Sequence, residues 1–221
     1  MLGVAERERL DRYSRGADAD RYVSAHVLLR SVAAAYLGGE PSTVPLTFAC
    51  GECGASHGGP RLPERLAGSC RLSLSHAGDR VVVAVAHVPV GVDIEPVRAL
   101  PGLSRIAEVA LAPVELRRVM SAPQERRPRD LLGYWTCKEA VLKALGCGLR
   151  ADLRSLVIDS AGPDGDLRVR SWPAGVGPAV VTIRPLEALE RHGYAGAVAV
   201  LTERLTSLEE RDATERLSRY F

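Results

Sequence analysis

The order of helical and extended segments constrains the fold of this chain more than any other feature of its sequence. Residues 5–37 carry apolar side chains at helical spacing, which predicts one long helix. A loop rich in Gly, Pro, Ser and Cys follows, with one short strand expected near 44–48. Three short strands come next and are predicted to form a meander that ends in GVDIE at 91–95. Pro96 and Pro101 then break the pattern, and helices followed by strands begin again. This repeated order predicts an α+β fold of two similar lobes in a pseudo-twofold arrangement, each with a helix and antiparallel strands.

The second half of the chain gives the clearest elements. Helices are expected at about 103–111 and 113–120, and a stronger one at 129–145 has Gly146 directly after it. Strands are expected at about 155–159, 166–171, 179–184 and 194–202. We therefore predict an N-terminal lobe over 1–100 and a C-terminal lobe over 101–221, although no residue-level repeat relates them.

Composition argues against two kinds of partner. Acidic and basic side chains are interleaved to a net charge of +2, and aromatic residues make up 5% of the chain, unlike the basic stripe of a nucleic-acid binder. The longest apolar-rich run, at 81–92, is interrupted by His87 and Pro89. We expect neither a membrane span nor a signal peptide. Five cysteines spread over 221 residues are typical of a reduced, cytoplasmic protein.

Three side chains of types that bind metal ions lie in one short stretch. Cys50, Cys53 and His57 form a C-x2-C-x3-H knuckle, and Cys70 would supply a fourth ligand for tetrahedral zinc. A second CxxC or HxxxH pair, which would strengthen the zinc interpretation, is missing. The alternative is a glycine-rich loop with small buried thiols.

The charged residues of two other segments favour a phosphate-handling site. Asp93 and Glu95 are spaced i, i+2, so an extended strand places both carboxylates on one face, where they suit a hard cation such as Mg²⁺. Trp135, Glu139 and Lys143 share one stripe of the helix at 129–145. Each pattern also occurs on ordinary polar surfaces.

Lysine usage singles out the same helix. Of 29 basic residues 27 are arginine, and the two lysines, Lys138 and Lys143, both lie in it. The ammonium of lysine is a compact point charge whose pKa shifts readily with its surroundings, whereas the guanidinium of arginine is planar and always charged. Farther upstream, Ser75 and His76 end the strand segment SLSH, where they could donate to phosphate oxygens or cap their own turn.

In their order and spacing, SLSH, GVDIE and W-x2-K-E-A-x2-K-x2-G-x-G-L resemble the motifs of the 4'-phosphopantetheinyl transferases, specifically the two-lobed Sfp type. The resemblance implies Mg²⁺-dependent transfer of the phosphopantetheine arm of coenzyme A to a serine of an apo carrier protein, with release of adenosine 3',5'-bisphosphate. It also implies an active site supplied by one molecule, and hence a monomer. The carriers of such enzymes serve fatty-acid synthesis or secondary metabolite biosynthesis.

The resemblance also assigns residue roles. Asp93, Glu95 and Glu139 would bind Mg²⁺, and Glu139 would take the serine proton. Lys143 would bind the pyrophosphate and stabilise the leaving group. The further contacts to coenzyme A would come from Ser75, His76, Asp93, Lys138, Arg21, Arg30 and Arg61. Arg61 replaces the lysine that many relatives have before SLSH, and Arg21 and Arg30 align loosely with the family's 3'-phosphate contacts.

Two other functions are compatible with these residues. One is a non-catalytic module that binds coenzyme A or a carrier protein, and the other is Mg²⁺-dependent hydrolysis of the pyrophosphate of coenzyme A. Three carboxylates together with two lysines favour the transferase, because a binding module has no evident need for a metal site and a base.

Overall fold

The computed structural model describes residues 1–13, 16–49, 54, 58–98, 103–147, 151–160, 165–218 and 220. The chain forms two compact units. The first contains Met1–Pro89 and Glu209–Phe221, and the second contains Val90–Leu208. No helix in the described part of the chain is both long enough and apolar enough to cross a bilayer.

The first unit is built on a long helix and a hairpin. Helices α1 (Val4–Leu10) and α2 (Ala17–Leu37) replace the single helix expected from the sequence. Gly16 separates them with a φ of 136°, a conformation that a side chain disfavours. Strands β1 (Arg71–Ala77) and β2 (Arg80–Ala86) pair antiparallel, and α2 packs on both.

The core of the first unit lies between α2 and the hairpin. Leu29, Ala33, Cys70 and Leu72 are among its buried members. Between the two elements run a 3₁₀ turn at Pro41–Thr43 and the short helix α3 (Glu64–Ala67). The strand expected near 44–48 is reduced to an isolated bridge between Thr47 and Arg61 in the described residues.

The second unit is an antiparallel sheet with helices. Its helices are α4 (Leu103–Ala110), α5 (Pro113–Ser121), α6 (Arg127–Leu145) and α7 (Glu187–Glu190), and its strands are β3 (Val90–Pro96), β4 (Val157–Ser160), β5 (Leu167–Ser171), β6 (Thr182–Pro185) and β7 (Tyr194–Val200). The sheet order is β3-β7-β6-β5-β4. Helix α8 (Thr214–Ser218) belongs to the returning tail of the first unit. The predicted α+β class, with a helix and antiparallel strands in each half, is confirmed.

Strand β3 belongs to a different sheet from the one that the sequence predicted. The expected meander would have kept it with β1 and β2, whereas it pairs with β7, with Asp93 opposite Ala197. The units accordingly divide between Pro89 and Val90 and not at residue 100. The structure shows why: Val90–Ile94 is buried throughout, as is typical of a strand covered on both faces.

Helix α6 is the centre of the second unit. It packs on β3 and β7, and its contact with β3 is so close that a Cβ on Gly91 would lie 1.9 Å from the carbonyl oxygen of Ala140. Apolar side chains are buried around most of its circumference, including Leu131, Val141 and Leu142. Lys138 and Glu139 are nevertheless also buried, so this helix places charge inside the protein.

Candidate active site

Strand β3 presents two acidic side chains on the same face. Asp93 is 6% exposed, and Glu95, two residues farther on, is half-buried. The i, i+2 spacing predicted this arrangement, because successive side chains of a strand alternate between its faces. Pairing with β7 holds this stretch of the strand in register.

Lys143 of α6 reaches the same place. Its ammonium donates to Asp93 Oδ1 at 2.6 Å and to the carbonyl oxygen of Val92 at 3.1 Å. The side chain is 31% exposed, whereas that of Asp93 is 8% exposed. The ammonium is thus held at the strand by a charge-assisted hydrogen bond while part of the side chain stays accessible to a ligand.

Glu139 lies one helical turn before Lys143 and is 8% exposed. Its Oε1 is buried and has no hydrogen-bond partner among the described residues. Burial, and then the charge of Asp93, raise the pKa of Glu139 to about 7, although Lys143 acts in the opposite direction. A carboxyl group of this kind can exchange a proton near neutral pH.

Glu95 belongs to the same electrostatic group. Burial first, and Asp93 second, raise its pKa, while Lys143 and Arg98 lower it. Three carboxyl groups therefore share the positive charge of Lys143, and burial weakens their hydration. Additional positive charge would stabilise the ionised carboxylates of such a site.

The donor set suits a hard divalent cation. Asp93, Glu95 and Glu139 offer carboxylate oxygens, and the unpartnered Oε1 of Glu139 is a buried acceptor that a cation would satisfy. In the described residues, no three or more His, Cys, Asp or Glu side chains are gathered closely enough to hold a metal ion. Instead, Lys143 occupies one oxygen of Asp93 in this structure.

Lys138 does not fit the role that the sequence assigned to it. Its side chain is 0% exposed, and its ammonium lies 2.5 Å from Glu115 Oε2. It also donates to the carbonyl oxygens of Ala110 and Leu153. All three ammonium protons are used within the protein, so in this structure none is available for the expected contact with a phosphate of coenzyme A.

Arg30 is likewise held inside the first unit. Its Nε donates to Glu6 Oε2 at 2.6 Å, and its Nη1 donates to the carbonyl oxygens of Pro41 and Val44. The side chain is 4% exposed. In this position Arg30 has little accessible surface for the expected contact with a 3'-phosphate.

The other predicted contacts also lie in the first unit. Ser75 is buried and His76 exposed, because the two are consecutive on β1 and face opposite ways. Arg21 pairs with Asp18 on α2, and Arg61 is exposed at the bridge to Thr47. Cys50, Cys53 and His57, the proposed zinc ligands, lie outside the described residues, and Cys70 is a buried free thiol.

Sequence reasoning missed Glu115 and Glu6, the two fully buried acids that pair with these basic residues. Glu115 has a local signal, because it follows Pro113 in the first turn of α5, where an acid caps the helix. No local signal in the sequence indicates that the partner of Glu115 is Lys138. Glu6 has no signal either, since an acid in a charged N-terminal segment resembles a solvated one.

Comparison with known proteins identifies the family. The model of the 4'-phosphopantetheinyl transferase superfamily matches residues 89–199, half of the chain, and this protein belongs to that superfamily. The matched region begins where the second unit begins and contains Asp93, Glu139 and Lys143. The predicted family is confirmed.

Several relatives carry the same name. The chain is 34% identical over 150 residues to 4'-phosphopantetheinyl transferase HetI of Nostoc sp., a match that covers 67% of this chain and 61% of that protein. It is 29% identical over 157 residues to a 4'-phosphopantetheinyl transferase of Bacillus subtilis, with 71% and 66% covered. Sfp of Bacillus subtilis is 26% identical over 158 residues, with 72% and 66% covered. The chain thus spans less than two thirds of the length of these relatives.

Solved structures give weaker matches. Holo-[acyl-carrier-protein] synthase of Thermotoga maritima matches with a TM-score of 0.41 at 23% identity, over 53% of this chain and 64% of that one. The holo-(acyl-carrier-protein) synthase of Bacillus anthracis in complex with CoA matches with a TM-score of 0.40 at 20% identity, over 52% and 95%.

Proposed function

We propose that this protein transfers the 4'-phosphopantetheine arm of coenzyme A to a serine of an apo carrier protein. One observation carries the proposal: Glu139 is buried beside the Asp93–Lys143 ion pair, and its Oε1 has no hydrogen-bond partner in the part of the chain that the structure describes. All three residues lie within the region that matches the superfamily. A proton acceptor, further carboxylates and an accessible ammonium are the groups that transfer of a phosphate-linked arm requires.

The reaction breaks one phosphoanhydride bond and forms one phosphoester bond. The serine oxygen of the carrier attacks the phosphorus that bears pantetheine, and the bridging oxygen leaves with adenosine 3',5'-bisphosphate. The serine proton must move to a base, and Glu139 is the buried carboxyl group of α6 that is available for it.

Lys143 would handle the departing charge. Its ammonium is held by Asp93 and the carbonyl oxygen of Val92, yet its side chain is accessible in part. A pyrophosphate oxygen can therefore become its additional partner. Negative charge grows on the bridging oxygen as its bond to phosphorus breaks, so this fixed ammonium interacts more strongly with that oxygen in the transition state than in the reactant.

Asp93, Glu95 and Glu139 would hold Mg²⁺, which supplies positive charge against the pyrophosphate oxygens. Binding there requires Asp93 to share or exchange its contact with Lys143. The charge balance supports this assignment, because the charge of Lys143 acts on both Glu95 and Glu139 and that of Arg98 on Glu95, and burial still raises the pKa of both carboxyl groups.

The proposal keeps Ser75, His76, Arg21 and Arg61 as contacts to coenzyme A from the first unit, and it omits Lys138 and Arg30. It also includes an active monomer in the cytoplasm. The three free thiols in the described part, Cys70, Cys137 and Cys147, are consistent with a reducing compartment. The proposal includes the carriers of secondary-metabolite biosynthesis among the substrates, because carriers of several pathways present the same acceptor, a serine hydroxyl.

A mass measurement tests the transfer. The protein is incubated with coenzyme A, Mg²⁺ and a panel of apo carrier proteins, and each carrier is then weighed intact. We expect at least one carrier to gain the mass of phosphopantetheine. A panel in which no carrier gains this mass at any Mg²⁺ concentration would contradict the proposal, and cleavage of coenzyme A without transfer would identify a hydrolase.

A further inference from the structure

Lys138 and Glu115 form an ion pair that solvent does not reach. Both side chains are 0% exposed, and Nζ lies 2.5 Å from Oε2. The ammonium has three protons, and it donates the other two to the carbonyl oxygens of Ala110 at 2.6 Å and Leu153 at 2.8 Å. All three donors of this buried lysine are therefore satisfied within the protein, and none is left for a ligand.

The carboxylate is equally occupied. Glu115 Oε2 also accepts from the backbone N–H of Ala112 at 2.8 Å, and Oε1 accepts from that of Ile158 at 2.7 Å. The pair therefore connects the end of α4, the start of α5, the middle of α6, the segment before β4 and β4 itself. These contacts fix α6 against four other segments of the second unit.

Helix α6 carries a second buried polar contact on another side. Glu139 follows Lys138 directly, so the two side chains leave the helix about 100° apart. Glu139 and Lys143 face Asp93 on β3, whereas Lys138 faces Glu115. A rotation or shift of α6 cannot preserve both contacts, so the Glu115 pair determines where Glu139 and Lys143 meet β3.

Burial of an ion pair is not an efficient source of stability. Apolar side chains of similar volume often stabilise a core as well or better, because both charges must be desolvated. The benefit of such a pair lies in its directionality, because three donor groups and four acceptor atoms of fixed geometry allow one position of the helix. Catalytic groups need that precision, because a misplacement of about 1 Å can cost about 100-fold in rate.

We propose that Lys138, together with Glu115, is a positioning residue that sets α6 so that Glu139 and Lys143 meet Asp93. The inference rests on the proposed function and deepens it. It assigns the first lysine of the W-x2-K-E-A-x2-K motif to the interior of the protein and leaves the phosphate contact to Lys143.

Variants on both sides of the pair test this role. Lys138→Met keeps an unbranched side chain and removes the ammonium, and Glu115→Gln keeps the shape and removes the charge. Both singles and the double variant are compared with wild type for kcat, KM for coenzyme A, and the Kd of coenzyme A by calorimetry. Asp166→Asn is the matched control, because it breaks an ion pair of the same unit that involves no residue of α6, between buried Asp166 and partly exposed Arg184.

We expect Lys138→Met and Glu115→Gln each to lower kcat at least 10-fold, with KM and Kd for coenzyme A within about twofold. The double variant should lose little more than either single one, since the pair acts as a unit. Asp166→Asn should lower Tm without changing kcat. A Kd that rises at least 10-fold at unchanged kcat, an unchanged kcat in both singles, or an equal kcat loss in Asp166→Asn would overturn the proposal.

A crystal structure of Glu115→Gln separates failure of this proposal from failure of the proposed function. If wild-type protein modifies no carrier, the proposed transfer fails, but the positioning role is still decided by geometry. We expect the 2.6 Å contact between Lys143 Nζ and Asp93 Oδ1 to lengthen or break. Retention of that contact in the variant would overturn the positioning role. Lys138→Met provides the same readout if the first variant does not fold.

Discussion

Two consecutive charged residues of α6 have different surroundings. Lys138 is fully enclosed, and Glu139 lies at the site with one carboxylate oxygen unpartnered among the described residues. Lys143, the other lysine of the sequence, is 31% exposed and holds Asp93. At the scale of single residues, accessibility therefore separates the lysine that can meet a phosphate from the one that cannot.

Replacement of Glu139 by Gln tests the proposed base. Gln has nearly the same shape but cannot accept the serine proton or help bind a cation. We expect transfer to fall at least about 100-fold. Stability should be retained, because the variant removes a buried carboxyl group whose charged form burial disfavours. Initial rates of holo-carrier formation and thermal unfolding measure the two effects.

Glu187→Gln on α7 is the matched control for that change. Glu187 is exposed and belongs to no contact of the candidate site, so the same substitution there should leave the transfer rate unchanged. Turnover of Glu139→Gln at the rate of this control would remove Glu139 from the mechanism.

Sequence reasoning could predict part of the site at this scale. The i, i+2 spacing in GVDIE placed Asp93 and Glu95 on one face, and the helical spacing of Glu139 and Lys143 placed them on one stripe. It could not distinguish the two lysines. Their difference depends on Glu115, which lies 23 positions from Lys138 and meets it only after α5 packs on α6.

At the scale of elements, β3 and α6 approach one another at a glycine. A Cβ on Gly91 would lie 1.9 Å from the carbonyl oxygen of Ala140 and 2.5 Å from the nitrogen of Ala144, both backbone atoms of α6. Neither atom can move without displacing the helix. This contact brings Asp93 to α6 and explains why β3 belongs to the second unit.

The substitution Gly91→Ala should therefore separate β3 from α6. We expect it to destabilise the second unit by about 3 kcal/mol or more, at the upper end for overpacking, and to lower transfer as well. Gly133→Ala on α6 is the control, because a Cβ there meets open space and should stabilise the helix by about 0.5–1 kcal/mol. Denaturant unfolding measures both. Equal stability of the two variants would contradict the proposed close contact.

The N-terminal helix α1 is tied to α2 by a buried acid. Burial opposes ionisation of Glu6, but hydrogen bonds from His26, the Gly3 amide and Arg30 outweigh it and lower the pKa of Glu6 below its ordinary 4.5. A lowered pKa in the folded state means that ionised Glu6 stabilises the fold. This contribution is complete above about pH 4.5 and is lost as the pH falls through the lowered pKa.

Comparison of wild type with Glu6→Gln tests this linkage. At pH 5 the variant should be less stable by about 3–5 kcal/mol, because Arg30 remains buried without its charged partner. The difference should shrink as the pH is lowered from 5 towards 3. Denaturant unfolding at several pH values measures it, and a difference that stays constant or grows on acidification would contradict the assignment.

The elements themselves were mostly predictable. Helices α4, α5 and α6 and strands β4 to β7 lie close to the predicted ranges, because strong periodicity and proline or glycine boundaries mark them. The partner of β3 was not predictable in this way. Its alternation is compatible with either sheet, and its pairing with β7 spans about a hundred residues of chain.

At the scale of the whole molecule, the family match and the compact units agree. The superfamily model covers 89–199, and the second unit covers Val90–Leu208, so the acids of β3 and the charged residues of α6 lie in one compact unit that the family model also matches. The first unit is completed by residues from both ends of the chain, with Arg216 of α8 donating to the carbonyl oxygen of Ser31. Sequence order indicated two lobes but not this return of the tail, since a polar C-terminal segment carries no signal for its partner.

The stoichiometry of the products distinguishes transfer to a carrier from hydrolysis of coenzyme A. With coenzyme A, Mg²⁺ and a carrier that accepts the arm, holo-carrier and adenosine 3',5'-bisphosphate are quantified in the same reaction over time. The proposed transfer predicts that the two form in equal amounts and that both form at least about 100-fold more slowly with Glu139→Gln. Formation of adenosine 3',5'-bisphosphate together with free 4'-phosphopantetheine, and no holo-carrier, would contradict it.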